Sequence, residues 1–138
     1  MPQQKSYGIV PLRRKAHHWE ALLVKRQEGF WEFPKGHSGP EESPLEAATR
    51  ELKEETGLDI KKVLFSNPIK IEYKFTYDQE LISKTVYYFI AEVLGTIHLQ
   101  PEETIDSKWV PLEEAADYVT YANSRELCHK VCRMMSNL

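Results

Sequence analysis

The stretch SPLEAATRELKEETG, Ser43 to Gly57, constrains this chain more than any other. Ser43 suits an N-cap, Pro44 the first helical position, and Glu46 completes a capping box three residues on. Gly57 supplies the left-handed stop. Between them Leu45, Ala48 and Leu52 recur at spacings of three and four, the stripe of an amphipathic helix. On both sides the period changes. Residues 7–12 and 19–25 before it, and 63–65, 69–77, 81–94 and 107–110 after it, are rich in β-branched and aromatic residues and predict strands. A basic loop, residues 13–18, joins the first two, and residues 30–33 form a short segment leading into Pro34. Asp78-Gln79-Glu80 falls in a hairpin connection. Residues 111–114 open a second helix and 124–135 a third. Strands around a central helix, with helices at the end, predict an α/β fold: a mixed sheet packed between helices. The 138 residues suit one domain, 1–138, with one real core.

The same helix gathers charge. Six glutamates fall between Glu41 and Glu55. Glu51, Glu54 and Glu55 lie at i, i+3 and i+4, so their side chains point the same way. We read this stripe as rotated away from the apolar one. Lys53 points elsewhere, and Arg50 is the one positive charge in the turn. A solvated acidic face is the ordinary explanation of such a cluster. The other is neutralisation by hard divalent cations such as Mg²⁺ or Mn²⁺, which take oxygen ligands and share them with water and substrate phosphates. The preceding loop, residues 35–42, holds two glycines and a proline, which suits a shaped turn laid against the helix start.

Composition narrows the partners. A net charge of −3 excludes wholesale nucleic-acid binding through a basic surface. No apolar run approaches the ~18 residues of a membrane span. The first residues lack the apolar stretch and small-residue cleavage site of a signal peptide. These point to a cytoplasmic protein, expected as a monomer, acting on a small molecule. Cys128 and Cys132 flank His129 at helical spacing. Two thiols and one imidazole are too few for a zinc site, and core packing is the expectation.

From Gly36 to Leu58 the chain matches Gx5Ex7REUxEExGU, with U aliphatic, at each of its nine fixed or restricted positions. In this it resembles the Nudix hydrolases, and the order of flanking strands is similar to the Nudix α/β/α sandwich. The resemblance implies hydrolysis of a nucleoside diphosphate linked to another moiety, with Mg²⁺ or Mn²⁺. It assigns metal ligation to Glu51, Glu54, Glu55 and the backbone carbonyl of Lys35. Gly36, Glu42, Arg50 and Gly57 would be the structural residues of the box.

Outside the box, FPKGH (33–37), KTVYYFIAEV (84–93) and SKWVPLEEA (107–115) resemble the asymmetrical diadenosine tetraphosphate hydrolases. This implies cleavage of the tetraphosphate to AMP and ATP. Lys84 and Tyr88 share a strand face by period-two counting, which sets an ammonium beside a phenol for phosphate oxygens. Lys35 and His37 would add phosphate contacts. By resemblance Tyr77 and Tyr121 form the two sides of an adenine clamp, and Glu103 is a further metal ligand or a base that orients water. Taken singly, each is an ordinary residue: half-buried tyrosines, a solvent-facing lysine, a loop acid beside Glu102. Trp31 and Trp109 are expected to pack, and His17 and His18 to lie on an exposed turn. One position departs from the pattern: Phe30 stands where the animal members have a histidine. Other readings of the same box are removal of pyrophosphate from RNA 5′ ends, sanitising of nucleoside triphosphates, and a sensing module without catalysis. The last typically loses box glutamates, and here Glu42, Glu51, Glu54 and Glu55 are all present.

Overall fold

The apolar run Ile9-Val10-Pro11-Leu12 lies at the centre of a mixed sheet, where both faces of a strand are covered. In the computed structural model, which describes residues 1–138, the run belongs to β1 (Gln3–Lys15). Next come β2 (His18–Arg26), the two-residue strands β3 (Trp31–Glu32) and β4 (Lys35–Gly36), and helix α1 (Pro44–Thr56). They are followed by β5 (Asp59–Val63), β6 (Ile69–Tyr77), β7 (Glu80–Leu94) and β8 (Thr104–Pro111). A 3₁₀ turn at Leu112–Glu114 leads to α2 (Ala115–Tyr118) and α3 (Ala122–Ser136). The order across the sheet is β3-β2-β1-β7-β5, with β4 on β1, β6 on β7 and β8 on β2.

β1 runs parallel to β7 from Gln3 to Leu12, and along its other edge it has two partners. β4 pairs with Tyr7 and Gly8, and β2 pairs from Leu12 onward. Between them Ile9 donates its N–H to the Pro34 carbonyl at 3.1 Å. Alternate residues of a strand present their N–H groups to the same edge, so the N–H that Pro11 lacks would point into the fork between β4 and β2. A proline is tolerated there in an otherwise central strand. The fork admits the loop that carries Lys35 and Gly36.

Two layers of side chains cover the sheet. Ala48 and Leu52 of α1 pack on Ile9, Leu22, Phe89, Ala91 and Val93. On the opposite face Val119, Leu127, Cys128 and Val131 pack on Val10, Leu12, Leu23, Val86 and Ile90. The result is an α/β/α sandwich. Trp31 and Trp109 are partly buried against these layers, one on each side. Cys128 and Cys132 are free thiols; burial pushes Cys128 up to about 12, so it packs and does not react.

Several boundaries differ from the sequence reading. The basic loop at 13–18 shrinks to a turn at Ala16 and His17, because Arg13–Lys15 continue β1 and pair with His18–Glu20. The strand expected at 63–65 ends at Val63; Leu64 and Phe65 turn into the core layer before Pro68. Pro111 closes β8 and does not open a helix, and only single-turn structure follows it before α3.

Candidate active site

α1 starts and stops where its sequence says. Ser43 Oγ accepts from the Glu46 N–H at 3.1 Å, and Glu46 Oε1 accepts from the Ser43 N–H at 2.8 Å. Gly57 caps the end at φ 81°, donating to the Lys53 carbonyl. One arginine then fastens the box loop to this helix. Arg50 Nε donates to Glu42 Oε2 at 2.8 Å, Nη2 to the His37 carbonyl at 2.8 Å, and Nη1 to Glu51 at 3.0 Å and Glu54 at 2.9 Å. The Arg50 bond holds the Glu42 carboxyl below the usual range, and a second bond from the Gly39 N–H adds to it. Gly36 lies directly against the carboxylate of Glu51, in space that any Cβ would fill.

Glu55 corrects the expectation that the acidic stripe avoids the core. Its side chain is 1% exposed. At 100° per residue it falls roughly 20° from Ala48, so burying Ala48 buries Glu55 as well. Burial pushes the Glu55 carboxyl up to about 9, despite Arg26, and the carboxylates of Glu32 and Glu51 push the same way. Arg26 Nη1 donates to Oε1 at 2.6 Å, while Oε2 has no hydrogen-bond partner.

No three His, Cys, Asp or Glu side chains converge tightly enough here to enclose a cation; Arg50 bridges Glu42, Glu51 and Glu54, and Arg26 pairs with Glu32 and Glu55. The donor chemistry nevertheless fits a divalent cation. An orphaned buried carboxylate oxygen lacks positive charge, Glu51 stands beside it in the helix, and all available donors are hard oxygens.

Two cavities adjoin at Lys35 and Lys84, and α1 contributes Arg50 and Glu51 to one of them. One, of about 450 Å³, is lined by Phe30, Tyr73, Phe75 and Tyr121, with Lys84, Tyr88 and Lys35 at its inner end. The other, of about 540 Å³, has no apolar lining and is built from residues including Arg26, His37, Arg50, Glu51 and Glu103. Lys35 and Lys84 line both. The structure thus brings Lys35, His37, Lys84, Tyr88, Tyr121, Glu51 and Glu103 to one place. The His37 ring is tied to the Lys5 carbonyl at 3.0 Å. Glu103 faces the polar cavity, whereas Glu102 lines only a hollow beside it.

Three expected residues line neither cavity: Glu55, buried against Arg26, and Glu54 and Tyr77. Glu54 is half exposed on the outer side of α1. Tyr77 is 70% exposed at the end of β6, beyond the cavity. Tyr73 and Phe75, on the same face of β6 by period two, form the wall instead. Phe30 packs on Tyr121 with ring centroids 5.3 Å apart. Tyr73, Phe75, Arg26 and Glu32 were not singled out by sequence reasoning, and Phe30 was noted only as a departure from the resembled pattern. The alternation Tyr73-Phe75-Tyr77 was the available signal for the first wall; nothing in the sequence marked Arg26 or Glu32.

The two lysines differ electrostatically. Burial would lower Lys35, but the Glu32 carboxylate and Tyr73 together outweigh it and the net shift is upward. Burial, with the charge of Lys35, lowers Lys84 to about 8. A folded pKa below the unfolded 10.5 means the folded chain binds fewer protons in that window. Stability from this group therefore rises with pH between about 8 and 10.5, while its charge is lost. Any anion held by Lys84 is expected to bind more weakly as pH passes about 8. Lys84→Arg should remove that limb of a kcat/KM profile, because arginine stays charged. Superimposable profiles for the two proteins would refute the role.

Known proteins agree with this architecture. A NUDIX domain family model matches residues 2–130. An asymmetrical bis(5′-nucleosyl)-tetraphosphatase from Mus musculus is 35% identical over 107 residues, covering 74% of this chain and 71% of that protein. The putative mutator protein MutT4 of Mycobacterium tuberculosis is 30% identical over 115 residues; the match covers 83% of this chain and only 46% of that protein. In fold, a C. elegans Ap4A hydrolase binary complex superposes with a TM-score of 0.76 at 24% identity, covering 97% of this chain and 98% of that one. With three of the four box glutamates on α1 and the family match spanning nearly the whole chain, this protein belongs to the Nudix hydrolases.

Proposed function

We propose that the protein hydrolyses dinucleoside polyphosphates, cutting diadenosine tetraphosphate into AMP and ATP. The observation that carries this reading is the pair of adjoining cavities, one aromatic and one polar, that share Lys35 and Lys84. A base fits the first, and a polyphosphate fits the second. Base stacking on an aromatic side chain is worth ~1–3 kcal/mol. Tyr121, backed by Phe30, offers one such surface, and Tyr73 and Phe75 offer the facing one, with Tyr77 at the outer rim. Likeness to the mouse tetraphosphatase supports the same substrate.

Glu51, Glu54, Glu55 and the carbonyl of Lys35 would hold Mg²⁺ or Mn²⁺, with Glu103 across the polar cavity. A divalent cation there supplies a lowered water pKa and screens phosphate charge. Lys84, Lys35, Tyr88 and His37 hold phosphate oxygens and orient the chain. A water oxygen adds to a phosphorus next to one adenosine as the bridging P–O bond breaks. Glu103, or Glu55 when a bound cation would keep its carboxyl ionised, accepts the water's proton, and the released polyphosphate takes one in exchange with solvent.

Product analysis by ion-exchange chromatography tests this. Purified protein with Mg²⁺ is given diadenosine tetra-, penta- and hexaphosphate, ATP and 5′-triphosphorylated RNA in parallel. Equal AMP and ATP from the tetraphosphate, faster than from the others, is expected. Two ADP would refute the asymmetrical cut. Pyrophosphate from RNA with dinucleotides untouched would keep the carboxylate site and discard the nucleoside assignments of Tyr121, Tyr77 and Lys84.

A further inference from the structure

We infer that Glu32, which lies outside the Nudix box, is a positioning residue for the phosphate-holding lysine Lys35, an inference that rests on reading the polar cavity as a polyphosphate site. Glu32 ends β3, where it pairs with Val24, and its side chain is 8% exposed. Oε1 accepts from Lys35 Nζ at 3.1 Å, and Oε2 lies 3.4 Å from Arg26 Nε. Arg26 continues the row to Glu55. The carboxylate therefore lines the aromatic cavity beside Lys35, which lines both cavities, and has a cation on either side.

What these cations do with their other donors is the point. An ammonium carries three N–H groups and a guanidinium five. Lys35 bonds to no protein group except Glu32, and Arg26 reaches only Glu32 and Glu55 through its side chain. Both residues line the polar cavity, so their remaining donors are left for a ligand there. A lysine on a four-carbon stem is otherwise free to swing. Glu32 restricts it to the junction, so that the cost of ordering it is met before a phosphate arrives.

A merely structural salt bridge would affect melting and leave the distribution of binding and turnover untouched. The experiment is calorimetric titration with inorganic tripolyphosphate and Mg²⁺, on the parent, Glu32→Gln, Glu32→Asp, Lys35→Ala and the double variant Glu32→Gln/Lys35→Ala. Glu32→Gln should weaken tripolyphosphate by about tenfold, the scale of one charged hydrogen bond. Glu32→Asp, which keeps the charge, should recover most of it. In the Lys35→Ala background the same change should cost less than about threefold, since the residue it acts through is gone. Steady-state kinetics on the nucleotide substrate should show the loss in KM more than in kcat. An undiminished penalty in the Lys35→Ala background, or parental affinity in folded Glu32→Gln protein, would overturn the inference. Should Glu32→Gln not fold, Glu32→Asp decides: folded Asp protein that loses about tenfold or more in tripolyphosphate affinity, or that melts lower with unchanged affinity, refutes positioning. Tripolyphosphate has no nucleoside, so the ordering holds whichever nucleotide is cut. Failure of the parent to bind it would sink the phosphate site itself.

Discussion

Glu55→Gln is expected to lower turnover by about 10²–10⁴-fold, the usual scale for a group that handles the proton. It is also expected to leave the cation-free protein at least as stable as the parent at pH 8. The second half separates this residue from an ordinary buried acid. Its carboxyl rises from 4.5 to about 9 on folding, mostly through burial. A raised acid pKa means the folded chain holds the proton more tightly. Its contribution to stability is present below about 4.5 and is lost as pH climbs towards about 9. Glutamine imitates the protonated form and pays no such penalty. Loss of the Arg26 pair works against this gain, but burial is the larger influence on Glu55. The two proteins should therefore melt alike near pH 5 and diverge in favour of glutamine towards pH 8. Saturating Mg²⁺ should stabilise the parent more, because a ligand bound only by the folded state adds to stability. Thermal melts with EDTA and with Mg²⁺, paired with turnover, check all of this. A variant that melts below the parent at pH 8, or that keeps its turnover, contradicts the account.

Gly36→Ala tests the other side of the site, where the box loop meets the helix. The added methyl group would run into the Glu51 carboxylate. Glu51 has a flexible side chain, so the carboxylate gives way and the backbone does not have to. The expected result is a small change in melting and a fall in kcat/KM on the order of 10- to 100-fold, comparable to losing a group that orients a metal ligand. Cation affinity, followed by the Mg²⁺ dependence of the rate, should fall with it. Parental activity would show that Glu51 need not stand where the structure has it. A large loss of stability would show instead that Gly36 is required by the fold and says little about the site.

The helix and its box were legible because their determinants are local. Ser43, Pro44, Glu46 and Gly57 act on backbone groups within four residues, so reading them needs no knowledge of the rest of the chain. Strand existence was legible by composition, but ends were not: whether Arg13–Lys15 continue β1 depends on His18–Glu20 being there to pair with them. Glu55 shows a different limit. Its angular place beside Ala48 follows from helix geometry, yet an acid on that flank is buried only if the sheet beneath extends far enough to cover it.

Sequence alone determined the nine-position box, the four glutamates and one arginine it contains, the family they mark, and the α/β class. These are matters of spacing along one helix and one loop. Tertiary structure alone decided which aromatics line the aromatic cavity, setting Tyr73 and Phe75 in its wall where Tyr77 was expected, and packing Phe30 on Tyr121. It alone set Arg26 against Glu55 and Glu32 against Lys35. Residues 26 and 55 meet because β2 lies next to β1 in the sheet and α1 packs on the same face. A meeting between distant segments is a property of strand order and register, which no local pattern encodes.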